Sequence, residues 1–362
     1  AEHLARVAQS ELAVRVDVSD ETAACHFADD LLAALATPAL LSSISVDIDA
    51  TVGVAVGRGD DGERLLQAAR LAAREAKKSH ARVLLAHPRL DNDWRDRLRL
   101  AADLREAIDE RHLSIHLQPQ VDLRTGEVCG VEALARWRHP EHGVISPAQF
   151  IGLAERTGLI RNLTQAILEA VSAQAARHAA AGLHLPIAMN VSARNLHDPA
   201  FFRCLKDALE TWPQARHYLH LELTETALIA DPAYSLQVLR QLRELGPAVY
   251  LDDFGTGYSS LAYLRELPLD GLKIDRVFVH DLTHPRSRSI VRTVADLGHA
   301  LNLTVVAEGV EDVAMTPILS ELGCDTVQGY GIAKPMPADE MVGWINRWPG
   351  LSQDEAEAPR DR

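Results

Sequence analysis

The sequence has no paired cysteines, no dense basic block and no apolar run of membrane-spanning length, and each absence removes a class of function. Cys25, Cys129, Cys204 and Cys324 are scattered without CxxC spacing. That excludes a zinc knuckle or a disulfide framework and points to a reducing compartment, with each thiol acting as a small buried hydrophobe. Lys and Arg number 37 against 51 Asp and Glu, a net charge of −14, and a field of that sign repels a nucleic-acid backbone. The best candidate span, Leu31 to Val46, is interrupted by Pro38 and by Ser42-Ser43 and falls short of the ~20 apolar residues a bilayer requires. The first residues, AEHLARVAQSELAVRV, lack the basic start and apolar core of a signal peptide and read as the middle of a domain. A cytoplasmic protein is expected, with any membrane anchor upstream of this chain. What is present is a chain of 362 residues, 47% hydrophobic and 24% charged, the composition of folded domains and long enough for two.

Residues 1–89 alternate strand-like and helix-like runs: a strand over Glu11 to Val18, a helix over Glu21 to Leu35, and a strand over Ile44 to Val56. A helix carrying Leu65, Leu66, Ala69 and Leu71 follows, then a strand over Arg82 to Ala86. This is an α/β unit. Its glycine-containing loop, Gly57 to Gly62, is not placed between a strand end and a helix as a phosphate turn would be, and reads as a solvated turn. His87-Pro88 breaks the pattern. The spacing of Leu98, Leu100, Leu104 and Ile108 then predicts a connecting helix over 90–112. Beyond it come eight strands, alternating mostly with helices: Leu113 to Leu117, Val128 to Leu134, Leu185 to Val191, Tyr218 to Leu223, Ala248 to Asp252, Gly271 to Ile274, Leu303 to Ala307 and Thr326 to Gln328. That pattern over about 240 residues, close to the usual barrel span of ~250, predicts a TIM-like (β/α)8 barrel. Thr125-Gly126 reads as a hairpin turn, which makes one of the first two strands antiparallel. The polar segment 351–362 reads as a disordered tail.

Residues at the C-terminal ends of barrel strands converge on one mouth, and here those ends are acidic. They supply Glu132 in VEALAR, Asn190 in AMNVS, Glu222 in LELTE, Asp252 and Asp253 in YLDDFGTG, Lys273 in LKID, Glu308 in VVAEGVE and Gln328 in VQGY. Five carboxylates in one cleft repel one another and lose hydration unless cations neutralise them. Oxygen donors without His or Cys favour Mg2+ or Mn2+ over Zn2+. The adjacent Asp252 and Asp253 could serve two ions, a pair suited to in-line attack of water on a phosphodiester, with Lys273 holding the water or a phosphate oxygen.

The segments VEALARW, NVS, ELTE, DDFGTGYSSL, PLDGLKID, AEGVE and QGY stand in the order and spacing of the EAL-domain cyclic-di-GMP phosphodiesterases, which the chain resembles over residues 98–350. The resemblance implies a TIM-like barrel that linearises cyclic di-GMP to 5′-pGpG with two Mg2+ or Mn2+ ions. Position by position, it implies that Glu132, Asn190, Glu222 and Asp252 ligate one metal and that Asp252, Asp253 and Glu308 surround the other. Lys273 would stand beside the attacking water, and Gln328 and Glu311 would hold outer positions around it. Gln118 in LQPQ would contact guanine and Arg136 a phosphate. Glu225 would anchor the DDFGTG loop, which in the family also lines a dimer contact. Asn195 stands where the family often has Gln.

The front segment resembles the second half of a GGDEF diguanylate cyclase domain, with Ala8, Gln9, Ser10, Glu11 and Leu12 at the signature positions. Side chains replace both glycines and Ser10 replaces a carboxylate, so GTP binding is conceivable there but cyclase chemistry is not expected. His139-Pro140-Glu141-His142 and His280-Asp281 have a metal-like look, yet each reads better as a solvated turn. Three further functions stay open on the residues alone: a Schiff-base aldolase using Lys273, which the surrounding acids disfavour by raising its pKa; a non-catalytic cyclic-di-GMP receptor; and a nucleic-acid phosphodiesterase.

Overall fold

The computed structural model describes the whole chain except residues 1–2, 9–10, 19, 36–38, 42–43, 47–49, 58–61, 79–80, 87, 213–217, 230, 256–260 and 352–362. Gln9 and Ser10, most of the Gly57 to Gly62 loop, the TGYSS part of DDFGTGYSSL and all but the first residue of the expected tail lie outside the described residues. The chain divides into two compact units, Ala1–Ala102 and Asp103–Arg362, so that the boundary falls within the connecting helix Pro88–Asp109. That helix begins at Pro88. Proline is tolerated at a first helical position because its missing N–H would have no partner there.

In the first unit, strand His3–Ala8, unexpected from the local residue pattern, pairs antiparallel with Glu11–Arg15. The expected strand from Ile44 to Val56 is instead two: Ile44–Val46 pairs with Ala39–Leu41, whereas Val52–Val54 runs parallel to Val83–Leu85. Helix Gly62–Lys78 connects that parallel pair. It packs against Gly53 so closely that a Cβ there would lie 2.0 Å from the Ala69 carbonyl oxygen, which is why glycine interrupts an otherwise β-branched strand. Ala24, Ala28 and Val54 form the small buried core. Glu11 accepts a hydrogen bond from Arg70 Nε at 2.8 Å.

The second unit is the barrel. Its strands are β1 (Leu113–Asp122), β2 (Val128–His139), β3 (Ile187–Asn190), β4 (Leu219–Thr224), β5 (Ala248–Phe254), β6 (Gly271–Ile274), β7 (Thr304–Ala307) and β8 (Thr326–Val327). From β2 through β8 each strand pairs parallel to the next, and β1 closes the ring antiparallel to both β2 and β8. The β1–β2 hairpin turns at Gly126, whose φ of 72° suits glycine. There Asp122 Oδ1 accepts from the Arg124 and Thr125 amides at 2.9 and 2.7 Å. Short strands Gly143–Ile145 and Met336–Pro337 add to β2 and β1.

Helices cover the outside and start where the sequence offers caps: Asp231 accepts from the Tyr234 amide at 3.1 Å ahead of Pro232, and Asp198 does the same for Ala200 at 2.9 Å ahead of Pro199. Between helices and strands sits a continuous core in which Leu117, Val131, Ile187, Leu221, Val249, Leu272, Val305 and Val327 are fully buried. This core holds the strands in register and so fixes which side chains face the barrel axis.

Candidate active site

Parallel register carries the polar residues to one level of the barrel. Asn190 lies beside Glu222 across β3 and β4, and Thr224 lies beside Asp252 across β4 and β5. Glu308 follows β7 directly, and its amide donates to the carbonyl of Ile274 at 3.1 Å, which draws it toward the end of β6. At the centre is Lys273, 1% exposed, an ammonium ringed by acids. Its Nζ lies 2.5 Å from Glu308 Oε1, 2.9 Å from Glu222 Oε2, 3.3 Å from Asp252 Oδ1 and 3.8 Å from Glu132 Oε2.

The acids are not equivalent. Burial pushes the Glu132 carboxyl up, but Lys273 together with hydrogen bonds from Gln328 Nε2 (2.5 Å) and Asn190 Nδ2 (2.7 Å) outweighs it and holds the group below its usual value. Glu222 is driven well above its usual value by burial and by the charge of Glu132, with Asp252 and Glu308 adding to the effect against Lys273. Its Oε2 faces Lys273 at ion-pair distance yet accepts no aligned hydrogen bond. Burial raises Glu308 to about 7 against the pull of Lys273, and burial with the neighbouring Asp252 raises Asp253 to about 6. Lys273 itself is desolvated, but the four carboxylates dominate and push its pKa well above the ordinary. One ammonium against four carboxylates leaves an excess of buried negative charge.

A hard divalent cation answers that excess. Asp252, Asp253 and Glu308 each offer an oxygen within 4.8 Å of the others, and Glu222 Oε2, which shares the Lys273 ammonium contact, is a buried oxygen without a hydrogen bond. An all-oxygen donor set of this kind suits Mg2+-like rather than thiophilic ions. Asp253 has a φ of 55°, a conformation few non-glycine residues adopt. Gly255 follows with φ 99°. Its amide donates to Glu225 Oε2 at 3.1 Å, so the 2%-exposed Glu225 fastens the start of the loop that leaves β5.

The structure thus brings Glu132, Asn190, Glu222, Asp252, Lys273, Glu308, Gln118 and Gln328 together, with Asp253 at the rim. Glu311 is not among them: its carboxylate is 66% exposed, 3.5 Å from His280. Arg136 is half-buried and spends one hydrogen bond on the Ala135 carbonyl. The expectation of a solvated turn at His139 to His142 is corrected for its first residue. His139 is 6% exposed, with Nε2 3.1 Å from Asp103 Oδ2 and Nδ1 accepting from the Glu141 and His142 amides. Sequence reasoning missed Gln120, whose Nε2 donates to Gln328 Oε1 at 2.9 Å. The available signal was strand periodicity, since Gln118 and Gln120 lie two apart and share a face.

Comparison with known proteins settles the family. The EAL domain matches residues 101–335. This chain belongs to the EAL family. Over 349 residues it is 37% identical to the cyclic di-GMP phosphodiesterase PdeR of Escherichia coli K12, covering 95% of this chain and 53% of that protein. It is 36% identical over 348 residues to the bifunctional diguanylate cyclase/cyclic di-GMP phosphodiesterase MucR of Pseudomonas aeruginosa, covering 94% of this chain and 51% of that one. The chain therefore spans about half the length of these curated relatives. Among solved structures, the PaMucR phosphodiesterase in complex with c-di-GMP is similar with a TM-score of 0.64 and 42% identity, over 67% of this chain and 99% of that one. EAL phosphodiesterases are metal-dependent, and the acidic cluster of this member is of a composition to bind a metal ion.

Proposed function

We propose that this EAL protein is a cyclic-di-GMP phosphodiesterase that uses two Mg2+ or Mn2+ ions to cleave its substrate to linear 5′-pGpG. The observation that carries this reading is the buried convergence of Glu132, Glu222, Asp252 and Glu308 on Lys273, with Asp253 adjacent. The balanced reaction consumes one water: its oxygen bonds to phosphorus, the P–O3′ bond breaks, and the proton ends on the released 3′ oxygen. When bound, the two ions supply Lewis-acid polarisation of the phosphate and neutralise charge that builds in the transition state.

The chain's own groups do the rest. Glu132, Asn190, Glu222 and Asp252 would hold one ion, and Asp252, Asp253 and Glu308 the other. Lys273, kept protonated by its acidic neighbours, donates to the attacking water or to an equatorial phosphate oxygen. Gln328 fixes the Glu132 carboxylate, Arg136 pairs with a phosphate, Gln118 meets a guanine edge, and Glu311 holds an outer position at the mouth. Four free cysteines suit a cytoplasmic setting. The barrel acts as a homodimer, and the front unit at most binds GTP without converting it.

Incubation of purified protein with cyclic di-GMP and Mg2+ or Mn2+, with chromatography of the products, tests the reading. Appearance of pGpG, abolished by chelator, is expected. Intact substrate at enzyme concentrations near that of substrate would refute it, and tight binding without turnover would establish a receptor instead.

A further inference from the structure

We infer that Gln120 is a positioning residue that sets which end of the Gln328 amide faces Glu132. The argument begins with strand direction. Because β1 runs antiparallel to β2, Gln118 lies opposite Glu132 and Gln120 opposite Gly130, all four facing one side of the hairpin. Gly130 has no side chain to occupy that side. A Cβ there would meet Gln120 Oε1 at 2.9 Å, so glycine gives the Gln120 amide its room.

The hydrogen bonds then run in one direction. Gln120 Nε2 donates to Gln328 Oε1 at 2.9 Å. Gln328 Nε2 donates to Glu132 Oε2 at 2.5 Å and approaches Gln118 Oε1 at 3.2 Å. Gln118 Nε2 donates to the Ala333 carbonyl at 3.0 Å. An amide has a donor end and an acceptor end of nearly equal shape, whereas a carboxylate and a backbone carbonyl only accept. The Ala333 carbonyl fixes Gln118 with its Oε1 toward Gln328, and the donor from Gln120 at the other end of the relay holds the Gln328 amide with its Nε2 toward Glu132. Among the described residues Gln120 supplies the donor that meets the carbonyl end of Gln328. Gln120 is 8% exposed and Gln328 4%, so water does not readily replace that donor, and a buried carbonyl without one is costly. The donor also polarises the Gln328 amide and strengthens its bond to Glu132. Among the described residues Gln120 makes no hydrogen bond to the acids; it acts through Gln328.

The inference rests on the proposed activity for its kinetic arm and on metal binding alone for its second arm, so the two fail separately. Gln120→Met keeps the length and removes the donor. Gln120→Glu keeps the shape, but when ionised it offers only acceptors and draws the Gln328 amino group away from Glu132. When protonated it can donate as Gln120 does. Its buried carboxyl titrates above the usual range, so this variant should approach wild-type kcat at pH 6 and fall 10- to 100-fold by pH 8.5, relative to wild type at each pH, with KM nearly unchanged; such losses are typical, at roughly 10–100-fold, for partners of metal ligands. Gln120→Met should lose about 5- to 10-fold at every pH, on the same scale. Calorimetric titration with Mn2+ alone should show weakened affinity for Gln120→Glu at pH 8.5, restored at pH 6. Gly130→Ala, which crowds Gln120 from the opposite strand, should lower kcat without the pH dependence, and it serves as the test if a Gln120 variant does not fold. Parallel pH profiles for the Met and Glu variants, or wild-type kcat and Mn2+ affinity for Gln120→Glu throughout, would mean that Gln120 merely fills space. A wild-type protein without turnover refutes the proposed function, while the Mn2+ titrations still decide the role of Gln120.

Discussion

Replacing Lys273 with Met keeps most of the side chain's length and deletes the single ammonium on which four carboxylates converge within 3.8 Å. Removing one partner of a buried ion pair costs about 3–5 kcal/mol, because the remaining charge is left uncompensated in a poorly hydrated place. In a unit the size of this barrel each kcal/mol moves the melting temperature by about 2–4 °C, which gives a loss of about 6–20 °C at pH 8 in chelator. The pH dependence follows from the acids. Glu308 stands at about 7 and Glu222 well above its ordinary value of 4.5. A carboxyl whose folded pKa is raised binds a proton more readily folded than unfolded, so its stabilisation is complete below about 4.5 and is lost as pH rises through the folded value. Without Lys273 both groups move higher still. The deficit of the variant should therefore be largest at pH 8 and shrink toward pH 6 as the carboxyls take up protons. Saturating Mn2+ should raise the melting temperature of the variant more than that of wild type, since it replaces lost positive charge. Thermal melts of both proteins at pH 6, 7 and 8, with chelator and with Mn2+, measure all of this. A deficit that is the same at every pH and insensitive to Mn2+ would refute the view of Lys273 as the counter-charge of the cluster.

The contrast between Glu132→Ala and Glu225→Ala separates a proposed metal ligand from a loop anchor: activity should fall by orders of magnitude and stay flat in metal for Glu132→Ala, but be partly recovered by excess Mn2+ for Glu225→Ala, and superimposable metal titrations would contradict these roles. His220 stacks on Tyr250 at 4.9 Å, and burial depresses it to about 4 against Asp270. A histidine depressed from 6.5 adds stability above 6.5 that is lost as pH falls toward 4, about 2 kcal/mol of it by pH 5. Urea unfolding should therefore show a larger drop from pH 7 to pH 5 in wild type than in His220→Phe, and equal drops would refute burial as the cause. Incubation with GTP should yield no cyclic di-GMP, because Glu11 is engaged by Arg70 and the signature glycines are replaced; any product would overturn that expectation.

Sequence reading came closest where hydrophobic runs are bounded by charge. The strand GLKI is flanked by Asp270 and Asp275 and appears at its expected limits. It fell short where polar residues face inward. Strand β1 continues from Leu117 to Asp122, although Gln118 and Gln120 look like the end of an apolar strand, because their polar partners come from distant segments. Gln120 and Gln328 are 208 residues apart, and no local pattern joins them. The same reason hid His139, whose partner Asp103 lies on another element. Met336–Pro337 carries no strand signal of its own and exists as a strand only because β1 offers it an edge. The acids were legible since they sit at strand ends of a recognisable barrel, where geometry forces convergence. Glu311 follows the last strand-end acid by three residues, and its exposure reflects the loop it stands on.

The antiparallel first strand gives the site two walls of different character. On one side Gln118 and Gln120 are in mid-strand, with β2 paired along one edge of β1 and β8 and Met336–Pro337 along the other. Their backbone pairs with β2 at Glu132 and Gly130 within a strand flanked on its other edge on both sides of them, and their amides reach Glu132 through Gln328, which follows the end of β8. On the other side Asp253 has already left extended geometry, and the turn at Gly255 is tied back by Glu225. A rigid amide wall orients one carboxylate in its ionised form, whereas the opposite wall carries acids whose pKa values rise until positive charge arrives. Substitutions on the amide wall should therefore change how well Glu132 is aimed, and substitutions at Glu225 should change how much cation the acids need. Had β1 been parallel like the rest, its mouth end would have been a strand C-terminus opening into a loop, and Glu132 would have lost the doubly paired strand that now aims it.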